Sequence, residues 1–311
     1  MRLTRASYIG PLAACALAGC GGAPQRPSSA TTGRAAPTAT SAAPLNKPTS
    51  RTLTVSGPGR PAGRWKVVAS IGGQPAGWIA ERSGVTLMRF DQSLVRLALH
   101  PGSAEPGGAR FTHESRIGPR EAHRVIAAFN GGFRLNYGSV GFMEDGREPV
   151  PLSAGLGSIV TYRDGATQVG AWRAGVPARG RPLESVLQDL KLLVDHGAPA
   201  SDVETCALEC WGATLGGGVD VARSALGITA AGQLVWGAGE SLSPAAIARA
   251  LSDAGVQRAV ELDINPQWVA GYLYVHRGGA PTAFPVVPGQ SGLPGRLLVP
   301  YARDFFTILA R

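Results

Sequence analysis

The chain has 311 residues, 44% of them hydrophobic, and carries a formal net charge of +9 at pH 7. Nearly all of the excess positive charge lies in the first 64 residues, whose basic side chains are Arg2, Arg5, Arg26, Arg34, Lys47, Arg51, Arg60 and Arg64. A nucleic-acid-binding protein concentrates its basic residues on its folded domain. This distribution therefore excludes nucleic acid as a partner and favours a basic segment beside anionic lipid headgroups.

The N-terminal segment has the organisation of an export signal. Arg2 and Arg5 precede an apolar stretch over residues 9–17 that is too short to span a bilayer as a helix. Residues 17–20 read Leu-Ala-Gly-Cys, which resembles the lipobox of bacterial lipoproteins, where the cysteine becomes the lipidated first residue. The sequence predicts a signal peptide over residues 1–19, lipidation (palmitate) of Cys20, and attachment to the extracytoplasmic face of the cell membrane. An ordinary secretory signal is the alternative.

Residues 20–64 are rich in Ala, Pro, Ser, Thr and Gly. Because this composition cannot bury a core, the segment is predicted to be a disordered tether that holds the domain away from the membrane. Residues 65–311 are long enough for one large domain, and no repeat or second linker divides them.

Beyond Cys20 the chain has two cysteines, Cys206 and Cys210. Outside the cytoplasm a pair at this spacing is predicted to form a disulfide bond. A metal site is the alternative, but two ligands without a neighbouring histidine are too few for a structural zinc site. The five histidines are scattered along the chain, so we predict no metal and no cofactor.

Strands rich in branched residues are predicted over residues 66–71, 84–91, 94–100 and 125–130. Residues 158–172 form a predicted hairpin around an Asp-Gly pair, and residues 224–239 form a second hairpin with Gly232 in its turn. Between the hairpins, residues 182–199 have helical spacing at first and become extended near their end.

The clearest helix is predicted over residues 242–256. Ser243 can cap its N-terminus, Pro244 suits its first turn, and Gly255 can end it. The following segment, residues 257–268, is predicted to be a strand that breaks at Pro266. Strands separated in places by helices predict an α+β fold, with a mixed β-sheet core flanked by helices in a single domain after the tether.

The C-terminal half carries an ordered series of short motifs. Arg223, Ala225, Gly227 and Ile228 lie at the start of the second hairpin, and the strand after the helix ends in Leu262-Asp263. This order resembles the phosphodiester glycosidase family. A second set of motifs fits the same family in the same order, namely Asn130-Gly131-Gly132-Phe133, Gly141, Asp145-Gly146 and the segment 187–197. The resemblance covers about residues 65–311 and implies a hydrolase of sugar-1-phosphodiester or related glycosidic linkages.

The chain departs from the family pattern directly after Asp263. The family's glycines and serine are replaced by Ile-Asn-Pro-Gln-Trp at residues 264–268, which makes this loop stiffer. Asn265 is predicted to bind sugar hydroxyls, and Trp268 is predicted to stack on a sugar face. Core packing is the alternative role for Trp268.

The resemblance and the chemistry together suggest a catalytic set. A leaving phosphate needs a cation, for which Arg223 offers a bidentate fork, and the sugar carbon needs a carboxylate, for which Asp263 is the candidate. Glu261, two residues earlier on the predicted strand, shares the face of Asp263. The alternatives are a structural salt bridge between Arg223 and Asp263 and a solvated or capped role for Glu261.

Residues of the first motif set are candidates for substrate binding. The amide of Asn130 can donate and accept, while Gly131 and Gly132 allow backbone N–H groups to face an anion. The alternative is a tight turn without a ligand. Asp145 is also assigned to substrate binding, with a simple turn as its alternative. We expect Asn130, Arg223 and Asp263 to meet in one cleft.

These observations predict a membrane-tethered extracytoplasmic glycosidase that acts on envelope glycans or sugar phosphodiesters. The partners are the glycan substrate and, through the lipid on Cys20, the membrane. The altered loop at residues 264–268 leaves a second function open, a non-catalytic glycan-binding lipoprotein that uses the same cleft.

Overall fold

The computed structural model describes residues 51–59, 63–106, 111–214 and 216–311. The predicted signal peptide, the lipidation site Cys20 and the predicted tether up to residue 50 lie outside these residues. Within them, 44% of the residues are in strands and 8% are in helices.

In chain order the strands are β1 (Leu53–Val55), β2 (Lys66–Ile71), β3 (Gln74–Arg82), β4 (Val85–Phe90), β5 (Val95–His100), β6 (Val125–Asn130), β7 (Val140–Glu144), β8 (Arg147–Val150), β9 (Gly157–Tyr162), β10 (Thr167–Ala171), β11 (Leu183–Asp189), β12 (Leu192–Asp195), β13 (Ala198–Pro199), β14 (Val221–Thr229), β15 (Leu234–Leu242), β16 (Val256–Glu261), β17 (Gly271–Val275), β18 (Thr282–Pro285) and β19 (Phe305–Ala310). The helices are α1 (Pro119–Ala122), α2 (Ala207–Cys210) and α3 (Pro244–Asp253), with a 3-10 turn over Arg296–Leu298.

The strands form three antiparallel sheets. The largest has nine strands in the order β1-β2-β3-β4-β15-β14-β16-β12-β13. The other two have five strands each, in the orders β10-β9-β11-β7-β8 and β18-β17-β6-β19-β5. The predicted α+β class, with a mixed sheet flanked by helices, is therefore wrong, and the domain is a β-rich fold.

The segment 182–199 shows the physical reason for this error. Its first part is β11, a central strand between β9 and β7, and the five residues from Ser185 to Asp189 are all buried. A strand that is covered on both faces has no alternation of apolar and polar residues, so its pattern can be mistaken for that of a helix. Helix α3 joins β15 to β16 across β14, but most of the other strands are joined to their sheet neighbours by hairpins and loops, as in antiparallel sheets.

Other local predictions are confirmed. Helix α3 begins after Ser243, whose hydroxyl accepts a hydrogen bond from the Ala246 N–H at 3.1 Å, and Gly255 follows it with a φ of 86°. Strands β9 and β10 pair as the first predicted hairpin, and β14 and β15 pair as the second.

The N-terminal boundary of the folded part lies earlier than predicted. Strand β1 falls within the predicted tether, yet Leu53 pairs with Ile71 of β2. The segment is short, and only one of its residues is buried, so its composition gave little sign of a strand.

Two packing contacts join the elements of the domain. The ring of Phe129 on β6 stacks on Trp236 of β15, with 5.3 Å between centroids, and so joins a five-stranded sheet to the nine-stranded one. Helix α3 buries Ile247 and Leu251 in a cluster with Val235 of β15. In the described part of the chain, no helix has the length and hydropathy needed to cross a bilayer.

Four strand termini meet at one edge of these sheets. The last residue of β6, Asn130, pairs with the first residue of β19, Phe305. The Asp263 N–H, just after β16, donates to the Gly131 carbonyl at 2.9 Å. Asp189, the last residue of β11, accepts a hydrogen bond from the Phe133 N–H at 3.2 Å. The candidate site lies where these strands end.

Candidate functional site

The turn after β6, residues Asn130, Gly131 and Gly132, is glycine-rich because carboxylates approach its backbone. A Cβ on Gly131 would lie 2.0 Å from Asp304 Oδ2, and a Cβ on Gly132 would lie 2.3 Å from Asp189 Oδ2. Neither glycine has a positive φ, so turn geometry is not the reason for them. The close approach that was predicted for a substrate anion is made in the structure by two side chains of the same chain, Asp304 and Asp189.

Backbone donors hold these carboxylates. The Gly132 N–H donates to Asp304 at 2.8 Å, and the Phe133 N–H donates to both oxygens of Asp189 at 3.2 Å. Burial raises the pKa of Asp304 to about 6, while Arg303 lowers it. Burial and then the charges of Asp304 and Asp263 raise the pKa of Asp189 well above its ordinary value.

Asn130 ties this turn to the neighbouring strands. Its side-chain amide donates to the Ser224 hydroxyl at 2.8 Å and to the Asp263 carbonyl at 3.4 Å. Its Oδ1 accepts a hydrogen bond from the Ala270 N–H at 3.3 Å. Asn130 is 6% exposed, so its amide lies next to Asp263 but beneath the surface of the site.

Asp263 follows the end of β16 and lies on the wall of a pocket. One carboxylate oxygen accepts a hydrogen bond from the Ile264 N–H at 2.9 Å, and the other pairs with Arg303 Nη2 at 2.8 Å. Burial raises the pKa of Asp263 to about 8, although Arg303 lowers it and the charge of Asp304 raises it further. Burial therefore favours the protonated form of this carboxyl group, and the ion pair with Arg303 opposes it.

Arg303 is the cation at the site. Its Nε lies 2.9 Å from Glu105 Oε2, its Nη2 donates to the Gly132 carbonyl at 2.9 Å, and its guanidinium lies 4.9 Å from the Trp268 ring. Sequence reasoning missed Arg303, Asp304, Asp189 and Glu105. Arg303 and Asp304 could have been recognised from the sequence, because they form a charged pair directly before the buried strand β19.

Arg223 is the residue whose place differs most from the expectation. It does not pair with Asp263. Its guanidinium pairs with Glu261 Oε1 at 2.7 Å, and both side chains are fully buried. It also donates to the carbonyls of Leu242, Trp211 and Val219. The roles predicted for Arg223 and Glu261 at the substrate are not met by this geometry, in which they form an internal ion pair that holds a loop.

The pocket beside Asp263 has a volume of about 350 Å³. We call it the aromatic pocket because Phe133, Tyr137 and Trp268 contribute rings to its wall. Its polar lining includes Arg134, Asn136, Asp263 and Asn265. The altered loop at residues 264–268 therefore contributes Asn265 and Trp268 to this pocket, next to the carboxyl group of Asp263.

The disulfide loop supplies another part of the pocket wall. The predicted bond between Cys206 and Cys210 is present, with 5.4 Å between the two Cα atoms. Trp211 follows it, and Gly212 and Ala213 line the aromatic pocket. Among the described residues, one group of donors has a spacing suited to a metal ion, Asp202 with the two cysteines. Their sulfur atoms are bonded to each other, so they are not thiolate ligands.

Asp145 lies away from this pocket. It occupies the turn between β7 and β8, where Arg163 Nη2 pairs with its Oδ1 at 2.7 Å. Val140, at the other end of β7, is the residue that pairs with Asp189, so five residues of strand, about 17 Å, separate Asp145 from the site. The structure thus brings together Asn130, Gly131, Gly132, Asp263, Asn265 and Trp268, and leaves Asp145 outside.

No protein-family model matches the chain, and no curated protein matches it either. Among solved structures, it is similar to the catalytic domain of zebrafish N-acetylglucosamine-1-phosphodiester alpha-N-acetylglucosaminidase, auto-inhibited by its pro-peptide. The TM-score is 0.48 at 16% identity, with 85% of this chain and 89% of that chain covered.

Two further structures show lower similarity. A hypothetical protein from Synechocystis has a TM-score of 0.40 at 15% identity, with 85% of this chain and 69% of that chain covered. An exported protein from Burkholderia pseudomallei has a TM-score of 0.30 at 14% identity, with 78% and 77% covered. Similarities at this level assign no activity to this chain.

Proposed function

We propose that the protein is an extracytoplasmic hydrolase that cleaves glycosidic bonds to a phosphodiester, or related linkages in envelope glycans, with Asp263 as its catalytic acid. The observation that carries this proposal is the environment of Asp263. It is a carboxyl group whose pKa is raised to about 8, on the wall of an aromatic pocket.

A protonated carboxyl group suits the first step of the reaction. Asp263 donates its proton to the oxygen that bridges sugar and phosphate, and the bond from the anomeric carbon to that oxygen breaks. Water supplies the hydroxyl group that completes the sugar, and the proton that this water releases restores the acid form of Asp263. Once ionised, Asp263 keeps Arg303 as its partner and faces the positive charge that develops on the sugar carbon.

The pocket wall matches the two halves of such a substrate. Trp268, Tyr137 and Phe133 line the pocket with aromatic rings that suit the apolar side of a sugar, and we assign Asn265, another lining residue, to its hydroxyl groups. Arg134 also lines the pocket and its side chain is 63% exposed, with Glu105 3.3 Å away. We assign the phosphate charge to Arg134, the role that Arg223 was predicted to have, because the guanidinium of Arg223 is buried.

One observation favours the alternative of a glycan-binding protein without catalysis. Both oxygens of Asp263 already have partners, the Ile264 N–H and Arg303. A carboxyl group held in this way also suits a role in shaping the pocket. The two functions differ in turnover, which a substrate panel can measure.

The experiment is to incubate the protein with sugar-1-phosphodiesters and with the matching uncharged glycosides, and to measure released sugar. We expect release from the phosphodiesters. Arg134→Gln should lower kcat/KM for them by about tenfold or more, the range of one lost charge-assisted hydrogen bond, and change that for uncharged glycosides by much less. Arg249→Gln, at an exposed arginine paired with Glu204, is the matched control. Binding of every compound without any release would favour the non-catalytic alternative.

We also propose that the protein works at the outer face of the cell membrane, tethered by lipid on Cys20. The support is the N-terminal sequence, in which a lipobox-like segment precedes a long stretch that is poor in core-forming residues. Cys20→Ala should release the protein from the membrane fraction, because the lipid supplies the membrane affinity. Membrane fractionation that is unchanged in Cys20→Ala would contradict the anchor.

A further inference from the structure

A second cavity, of about 740 Å³, lies against the loop that follows β5 and contains α1. We call it the arginine cavity because Arg96, Arg116, Arg120 and Arg124 line it. It shares no lining residue with the aromatic pocket. The proposed hydrolase mechanism does not use these four arginines, so the arginine cavity is considered as a separate site.

Two of the four guanidinium groups are already paired with acids. Arg116 Nε lies 2.7 Å from Glu114 Oε2, and Arg96 Nη2 lies 3.7 Å from Glu184 Oε1. Arg120 and Arg124 form no ion pair with any residue that the structure describes. Moreover, Nε of Arg124 is buried without a hydrogen-bond partner among them. Glu121 lines the same cavity, and its charge interacts with that of Arg124, but neither Arg120 nor Arg124 is held in an ion pair by a described residue, so both guanidinium groups can pair with a ligand.

His113 adds an oriented ring nitrogen, Nε2, to the same wall, and this nitrogen donates a hydrogen bond when the ring is protonated. Its Nδ1 lies 2.7 Å from Oε1 of Glu144, a carboxylate that is fully buried and also accepts the backbone N–H groups of Thr112 and His113. This contact places the proton of the neutral ring on Nδ1 and leaves Nε2 turned toward Glu121 and Arg96, at 3.8 and 3.5 Å. A carboxylate that fixes one ring nitrogen in this way orients the other for a ligand.

The charge state of His113 strengthens this arrangement. Burial by itself lowers the pKa of His113, but the hydrogen bond to Glu144 and the charges of Glu121, Glu144 and Glu184 outweigh it, so the pKa lies above its ordinary value. By contrast, burial lowers the pKa of the adjacent His100 to about 3, which keeps that ring neutral. The cavity wall therefore presents Arg120, Arg124 and a histidine that is readily protonated.

The chemistry of these donors selects the ligand. Three cationic groups on one wall match an oxyanion that carries close to two negative charges, which a phosphate monoester does near pH 7 and a carboxylate does not. The cavity is also many times larger than a phosphate ion, which leaves room for the organic part of an ester. Arginine forks suit the planar pairs of phosphate oxygens.

We propose that the arginine cavity is a binding site for a phosphate monoester, held by Arg120, Arg124 and Nε2 of His113. This site does not depend on the hydrolase proposed above. Its ligand bears a terminal phosphate group, whereas the proposed substrate of the aromatic pocket bears a phosphodiester.

The test is isothermal titration of the purified full-length chain with glycerol 1-phosphate, inorganic phosphate and acetate. We expect glycerol 1-phosphate to bind at one site with a dissociation constant of about 1 mM or tighter, inorganic phosphate more weakly, and acetate not measurably. If acetate binds as tightly as phosphate, the site does not select a doubly charged oxyanion. If inorganic phosphate binds as tightly as glycerol 1-phosphate, the site does not recognise the organic part of an ester.

Variants locate the site. The double variant Arg120→Gln/Arg124→Gln should raise the dissociation constant of glycerol 1-phosphate at least tenfold. His113→Asn should raise it severalfold. Arg249→Gln, at an exposed and paired arginine outside the cavity, is the matched control and should bind as the wild type does. Arg120 is exposed, so the single Arg120→Gln variant keeps the test valid if the double variant fails to fold. Unchanged binding in Arg120→Gln and in the double variant overturns the assignment.

Discussion

At the scale of single residues, Gly132 shows how a carboxylate determines what the chain can place beside it. A side chain there would collide with Asp189 Oδ2, 2.3 Å from a Cβ, and the carboxylate of Asp189 is buried and held by the Phe133 N–H. Gly132→Ala should therefore destabilise the domain by about 2–4 kcal/mol, in the range of overpacked or strained core positions. Urea denaturation measures this change.

Gly138 provides the control in the same loop, because a Cβ there would meet nothing within 4 Å. Gly138→Ala should change the free energy of unfolding by less than about 0.5 kcal/mol. Equal effects of the two substitutions would show that Asp189 does not approach the turn as described.

The ion pair of Arg223 and Glu261 permits a second prediction. Both groups are fully buried, and burial raises the pKa of Glu261 to about 7 while Arg223 lowers it. Arg223→Met leaves Glu261 without its partner and should cost about 3–5 kcal/mol of stability. Adding Glu261→Met removes the isolated acid and should recover at least about 1 kcal/mol of that loss. A double variant no more stable than Arg223→Met would refute this account.

Some site residues could be predicted from the sequence, and others could not. Asn130 and Asp263 were found because each stands where an apolar strand gives way to a loop with polar and small residues. Arg303 and Asp304 join them only through β19, which lies more than 150 residues after β6 in the chain. Arg223 was assigned to the substrate because sequence pattern does not show whether a charged strand residue faces a pocket or a buried partner.

At the scale of elements, the feature that could not be predicted from the sequence was the arrangement of the strands relative to one another. The hairpins and α3 were correctly predicted because turn and capping residues are local signals. Strand β11 was not correctly predicted, because a strand that is buried on both faces lacks the alternation of apolar and polar residues by which a strand is recognised. Which strands are neighbours, as in the order β4-β15-β14-β16, depends on contacts between distant segments that no local pattern records.

The disulfide loop links an element to the pocket. The bond between Cys206 and Cys210 closes a short loop, so replacing both residues by Ser should cost about 2 kcal/mol at most. Because Gly212 and Ala213 line the aromatic pocket, the same variant should raise KM severalfold with a smaller change in kcat. Steady-state kinetics measures this change. A reductant should raise the KM of the wild type in the same way and leave the KM of the variant unchanged. An unchanged KM would show that the loop does not shape the pocket.

At the scale of the whole molecule, the buried carboxyl groups determine how stability depends on pH. The pKa values of Asp263, Glu261 and Asp304 are raised to about 8, 7 and 6, in each case mainly by burial. Their ordinary values are near 4, so between pH 6 and pH 8 the folded protein binds more protons than the unfolded chain. Its free energy of unfolding must then fall as the pH rises.

We therefore expect the domain to be more stable at pH 6 than at pH 8 by about 3–5 kcal/mol, because each additional proton bound by the folded protein contributes about 1.4 kcal/mol per pH unit. Below about pH 7 the buried His100, whose pKa is lowered from 6.5 to about 3, acts in the opposite direction, because its ring takes up a proton in the unfolded chain and not in the folded protein. Urea denaturation at several pH values measures the curve. Stability that rises from pH 6 to pH 8 would mean that these carboxyl groups are ionised in the folded protein.

The central claim is that Asp263 is the catalytic acid of a hydrolase, and its most direct test is to compare Asp263→Asn with the wild type. The amide keeps the size of the side chain and can still accept the Ile264 N–H, but it cannot supply the proton. We predict that kcat on a sugar-1-phosphodiester falls by about 100-fold or more, while the dissociation constant of the same compound changes by less than about threefold. Turnover by Asp263→Asn at the wild-type rate would contradict the claim.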